Sequence, residues 1–100
     1  MVLLLAGELT GLDAESGEVL WSERSVRGVN GSPTLWVKDG KTYALCNDAG
    51  SSTFCVDPKT GKTLWKTPGG GNSTPVLAGD IMVVFAMKAS PGLAAWRLNL

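Results

Sequence analysis

One phrase occurs twice in this chain, and its recurrence constrains the fold more than any other feature. "DAESGEVLW" runs from Asp13 to Trp21 and "DPKTGKTLW" from Asp57 to Trp65, 44 residues apart. Both read Asp-x-x-(Ser/Thr)-Gly-x-x-Leu-Trp. Each retained residue suits a tight connection between two strands. The carboxylate of Asp13 or Asp57 can accept hydrogen bonds from backbone N–H groups two residues on, and the hydroxyl of Ser16 or Thr60 can add another. Gly17 and Gly61 supply a left-handed residue before the chain re-enters a sheet. Pro58, replaced by Ala14 in the first copy, pre-sets φ near about −65°.

The remainder reads as short apolar strands separated by turn residues. No window of helical length escapes Gly or Pro while keeping a 3.6-residue period, so the class is all-β. Gly7-Glu8 reads as a turn between Val2–Ala6 and Leu9–Leu12, and Glu23–Gly31 as a polar loop. Asp39-Gly40 and Gly79-Asp80 read as tight hairpin turns. From Ser32 to Lys66 come four strands, "SPTLWV", "KTYALC", "STFCV" and "KTLWK", and from Ser73 three more, "STPVLA", "IMVVFAM" and "LAAWRL". Pro33 and Pro75 stand at matching places, 42 residues apart.

A period of 42–44 residues with four strands per unit predicts antiparallel four-stranded blades of a β-propeller, here a partial one. Residues 1–31 would end one blade, 32–67 form a full blade, and 73–100 supply three strands of the next. Strands such as "TYALC" do not alternate, which predicts cover on both faces. Trp21 and Trp65 recur once per unit, so we expect them to wedge between adjacent blades rather than stack on a ligand. An indole buries about 150–250 Å². At about 25 cal/mol per Å² that stabilises by about 4–6 kcal/mol, as an upper bound.

Composition removes several function classes. Nine basic and nine acidic residues give no net charge, so nothing steers the chain to nucleic acid or an anionic membrane. The apolar runs Val2–Ala6 and Ile81–Met87 are far shorter than the roughly 20 residues of a membrane helix. "MVLLLAGE" lacks the basic n-region and cleavage site of a signal peptide and reads as a strand. With no His, no serine has the usual base beside it, and no catalytic group is assigned. "PGGGNS" at 68–73 lacks the Lys and helix of a phosphate loop and reads as a connection between blades. Two cysteines cannot complete a zinc site, and the acids show no calcium-loop spacing, so no metal is expected. Cys46 and Cys55 flank a hairpin loop centred near Gly50, and a register symmetric about these two residues would set them opposite each other. Two buried free thiols are preferred to a disulfide, because directly opposed Cβ atoms stand too far apart.

The phrase Asp-x-x-(Ser/Thr)-Gly-x-x-x-Trp, between an apolar strand and a Pro-containing one, resembles the pyrroloquinoline-quinone-like (PQQ-like) β-propeller repeat. The resemblance covers nearly the whole chain. Asn99 holds the place of Asp57 in the third unit, and the chain stops before a Gly or Trp can follow, as in a piece of a longer protein. This repeat occurs in quinoprotein alcohol dehydrogenases and in non-enzymatic propellers of bacterial outer-membrane assembly. The dehydrogenases hold quinone with adjacent cysteines, a stacking Trp and calcium. No adjacent cysteines occur here, so no cofactor residue is carried over and no cofactor is expected. The resemblance implies a non-catalytic scaffold in a larger periplasmic, or otherwise extracytoplasmic, protein; the alternative is a fragment of a PQQ-dependent dehydrogenase. The implied partners are the remaining blades and other proteins. The isolated chain would expose an uncovered sheet face and edge, and is expected to self-associate.

Overall fold

Turn chemistry divides the described residues into nine strands. A computed structural model describes residues 2–28, 32–48, 52–68, 74–86 and 92–98. The strands are β1 (Val2–Leu12), β2 (Val19–Gly28), β3 (Thr34–Lys38), β4 (Lys41–Asn47), β5 (Ser52–Val56), β6 (Thr63–Pro68), β7 (Val76–Ala78), β8 (Ile81–Ala86) and β9 (Gly92–Arg97). They form three antiparallel meanders: β1-β2, β3-β4-β5-β6 and β7-β8-β9. The class is all-β, with sheets of two, four and three strands. Gly69-Gly70-Gly71 and Asn99 lie outside the described residues.

The hairpin signals act locally as their chemistry requires. Asp39 and Gly40 both have positive φ, 52° and 77°, which sets the two-residue loop between β3 and β4 with Lys38 opposite Lys41. Asp is one of the few non-glycine residues that tolerate this region.

The inner strands β4 and β5 of the middle sheet are buried on both faces, which explains why they carry continuous apolar runs, whereas β3 and β6 alternate with exposed residues. Ala44, Cys46, Phe54 and Val56 join Leu5, Leu9 and Val26 in one layer. Trp36, Leu45 and Cys55 join Met82, Val84 and Leu98 in the other. Successive residues of β4 and β5 thus serve opposite layers, as the period of two demands.

Three sequence expectations are corrected. Gly7-Glu8 is not a turn: β1 runs through it, Gly7 takes φ 92°, and the register shift falls between Glu8 and Leu9 as a bulge. Residues 23–28 are strand rather than loop. The buried side chain of Val26 and the fit of Gly28 against Leu5 hold β2 to the core despite its polar composition. Finally, Cys46 lies opposite Phe54 and Cys55 opposite Leu45, so the cysteines do not face each other. The pairing is one residue away from the register that would oppose the two cysteines, which sends their side chains to opposite faces. Both are buried free thiols, and burial pushes each up to about 12.

Candidate functional site

The two copies of the repeated phrase make the same turn. The Asp13 carboxylate accepts from the N–H groups of Glu15 (2.9 Å) and Ser16 (3.0 Å), and the Asp57 carboxylate accepts from that of Lys59 (2.9 Å). The N–H of Gly17 donates to the Asp13 carbonyl at 2.9 Å, and that of Gly61 to the Asp57 carbonyl at 2.8 Å. The hydroxyls of Ser16 and Thr60 accept from the N–H groups of Glu18 and Lys62, each at 3.2 Å. Gly17 and Gly61 have φ of 76° and 78°. Backbone N–H donors, from Ser16 first, hold the Asp13 carboxyl below its ordinary value.

The copies differ in what meets them. Trp21 reaches across to the second turn: its Nε1–H donates to the Pro58 carbonyl at 2.8 Å. Its ring lies so close to Gly61 and Gly11 that a Cβ at either would stand 2.4 or 2.5 Å from it. The first turn carries no such lid; a Cβ on Gly17 would meet nothing within 4 Å. Trp65 packs against the layer between the second and third sheets, but its buried Nε1 has no hydrogen-bond partner among the described residues. Trp21 and Trp65 therefore hold matching places with unequal partners.

The junction of the second and third sheets depends on residues that sequence reasoning did not single out. Trp36 is 1% exposed, and its Nε1–H donates to Asp80 Oδ1 at 2.9 Å. Lys38 Nζ donates to Asp80 Oδ2 at 3.0 Å. The Thr34 hydroxyl donates to the Pro75 carbonyl at 2.6 Å, and the Ser32 N–H to the Thr74 hydroxyl at 3.0 Å. Tyr43 lies beside Trp36 with ring centroids 5.2 Å apart. A signal was present: Lys38 and Asp80, of opposite charge, sit 42 residues apart, one repeat period. At the first junction, the Arg27 N–H donates to Asp48 Oδ1 at 2.7 Å.

Asp80 supplies a pH dependence whose sign is fixed. The Trp36 N–H, then Lys38, hold its carboxyl below the ordinary value, with Arg97 adding a smaller attraction. A depressed carboxyl stabilises above the unfolded-state value of about 3.9 and loses that contribution as pH falls through the folded value. Lys38 is raised, chiefly by its hydrogen bond to Asp80, so its contribution is present below about pH 10.4 and lost as pH rises through the folded value. Urea midpoints measured from neutral pH down to pH 2 should fall, and Asp80→Asn should flatten part of that decline. Asp13 should retain its own share. An unchanged acid limb in Asp80→Asn would remove this assignment.

Two grooves flank the second turn. One of about 420 Å³ is lined by Leu3, Pro33, Leu35, Thr42, Pro58 and Lys59. The other, of about 590 Å³, includes Lys41, Tyr43, Lys59, Leu64 and Trp65. Among the described residues no group of three or more His, Cys, Asp or Glu could hold a metal ion. No helix among them is long and apolar enough to cross a membrane. The arrangement joins sheets and offers mixed apolar and cationic surface.

The family model described as outer membrane protein assembly factor BamB matches residues 5–99. The chain belongs to this BamB-like family of PQQ-like repeats. A solved structure similar to it is the crystal structure of BamB from Moraxella catarrhalis, with a TM-score of 0.70 and 21% sequence identity. The match covers 92% of this chain and 32% of that one, so the chain spans about a third of the length of that relative. At this identity the likeness shows the β-propeller fold. No curated protein matches the chain.

Proposed function

We propose that the chain is a segment of a non-catalytic, extracytoplasmic propeller that serves as a protein-binding scaffold in outer-membrane protein assembly. The observation that carries this reading is how the recurring residues are used. Asp13, Ser16 and Gly17, and Asp57, Thr60 and Gly61, build turns, and the second turn clasps Trp21 of the preceding sheet. The functional description of the BamB-like family supports the assembly role, and the fold likeness supports the propeller. The partners are the adjoining blades and other proteins. Exposed Val2, Leu4, Val19 and Leu20 support self-association of the isolated chain, which sedimentation velocity reads directly.

The parent protein, supplied with pyrroloquinoline quinone and calcium, should reduce an acceptor dye no faster than quinone alone. Turnover with an alcohol would favour the dehydrogenase reading instead. Cell fractionation should recover the parent outside the cytoplasm, and recovery only in the cytosol would overturn the placement.

A further inference from the structure

The β4–β5 hairpin is held to one register by a polar pair. Asn47 lies opposite Thr53, and the Thr53 hydroxyl donates to Asn47 Oδ1 at 2.7 Å. Both residues are buried. Such a bond selects register, because a slipped strand breaks it where water does not reach. The same register sets Cys46 opposite Phe54 and Cys55 opposite Leu45. Cys46 enters the layer shared with Leu5, Leu9 and Val26, and Cys55 the layer shared with Met82, Val84 and Leu98. With side chains leaving opposite faces of the sheet, the two sulfurs cannot join. One residue of slip changes this: Cys46 would face Cys55, and Asn47 would face Phe54. Directly opposed Cβ atoms stand about 4.5–5.5 Å apart, and those of a disulfide about 3.5–4.5 Å, so a local pinch of the slipped strands closes the bond.

We propose that this hairpin is a redox-sensitive device with two registers. Reduced, it takes the register pinned by Asn47 and Thr53. Oxidised, a Cys46–Cys55 disulfide holds the register one residue away. The oxidant is itself a disulfide, such as oxidised glutathione. One cysteine thiolate attacks a sulfur of it, forming a mixed disulfide and releasing one glutathione thiolate. The other cysteine thiolate then displaces the second glutathione. Two protein thiols thus give up two protons and two electrons, and one glutathione disulfide becomes two glutathione thiols. The slip turns one strand over relative to the other. Phe54 and Val56 then no longer share a layer with Ala44 and Cys46, and the second sheet loses its fit to both neighbours. Because the folded sheet covers both sulfurs, oxidation acts on the chain before the sheet closes or when the hairpin opens. The cysteines are near in sequence, so the unfolded chain closes their loop readily.

The inference does not rest on the scaffold reading, and its test is separate from the dye and fractionation assays. The 100-residue chain is exposed to oxidised glutathione while folded, and again while unfolded in urea. Mass spectrometry follows the species two hydrogens lighter than the reduced chain. It should form at least about tenfold more slowly from the folded chain. Isolated and freed of urea, that species should show a lower urea midpoint than the reduced chain. Its NMR spectrum should show cross-strand contacts of Cys46 with Cys55 in place of those with Phe54. Dithiothreitol should restore both the midpoint and the native contacts. Thr53→Val keeps the branched shape and removes the hydroxyl; it should speed oxidation of the folded chain about fivefold, the worth of one hydrogen bond. An oxidised chain that keeps the Cys46–Phe54 pairing and an unchanged midpoint would overturn the proposal. Equal oxidation rates in the two states, or no lighter species from urea, would do the same. An unchanged rate in Thr53→Val would remove the polar pair from the device.

Discussion

Trp36→Ala should destabilise the chain by about 3–5 kcal/mol, the cost of emptying a fully buried aromatic site. Trp36 is 1% exposed and lies in the layer that joins the second sheet to the third. The substitution also removes the indole donor from Asp80 and leaves that carboxylate to Lys38. Trp36→Phe separates the two effects. It retains most of the ring contact and loses the hydrogen bond, so it should cost less, about 1.5–3 kcal/mol for a bond to a charged group. Urea unfolding of the 100-residue chain provides the measurement. If Trp36→Ala cost no more than an exposed substitution, Trp36 would not join the two sheets as described.

Gly61→Ala and Gly17→Ala should differ sharply although they change equivalent residues. Both glycines have positive φ, so each alanine should cost about 1–2 kcal/mol from the left-handed conformation. Gly17 faces open space, and its substitution should cost no more than this. At Gly61 the new Cβ would stand 2.4 Å from the Trp21 ring, so overpacking should add about 1–3 kcal/mol. A double-mutant cycle isolates the cause: with Trp21→Ala in place, the penalty at Gly61 should shrink toward that at Gly17. Equal penalties in the wild-type background would show that Trp21 does not clasp the turn.

The parts of this fold legible in the sequence were those set by chemistry close along the chain. An Asp, a hydroxyl and a Gly within five residues define a turn because their bonding partners are their own neighbours. Asp39-Gly40 fixed a hairpin for the same reason. What escaped depends on distant partners. The polar stretch after Glu23 reads as loop, yet Val26 holds it in a strand by reaching a core that Ala44, Cys46, Phe54 and Val56 help to build. Gly7 looks like a breaker, and only pairing with β2 turns it into part of a bulged strand. The cysteines illustrate the limit most sharply. Composition gave two buried thiols, whereas their faces followed from a register that differs by one residue from the one that would oppose them. Trp21 and Trp65 drew attention because they recur, while Trp36 is more buried and bonds to a residue 44 positions away. The complementary charges of Lys38 and Asp80 at equivalent places were a usable sign of that junction.

The opposed placement of Cys46 and Cys55 gives the middle sheet a reporter on each side. Each sulfur is inert while covered, because burial suppresses its reactive thiolate. Alkylation of Cys46 would time the parting of the first sheet from the second, and alkylation of Cys55 the parting of the second from the third. The native chain thereby allows the order in which its layers come apart to be read by mass spectrometry, with no label engineered into it.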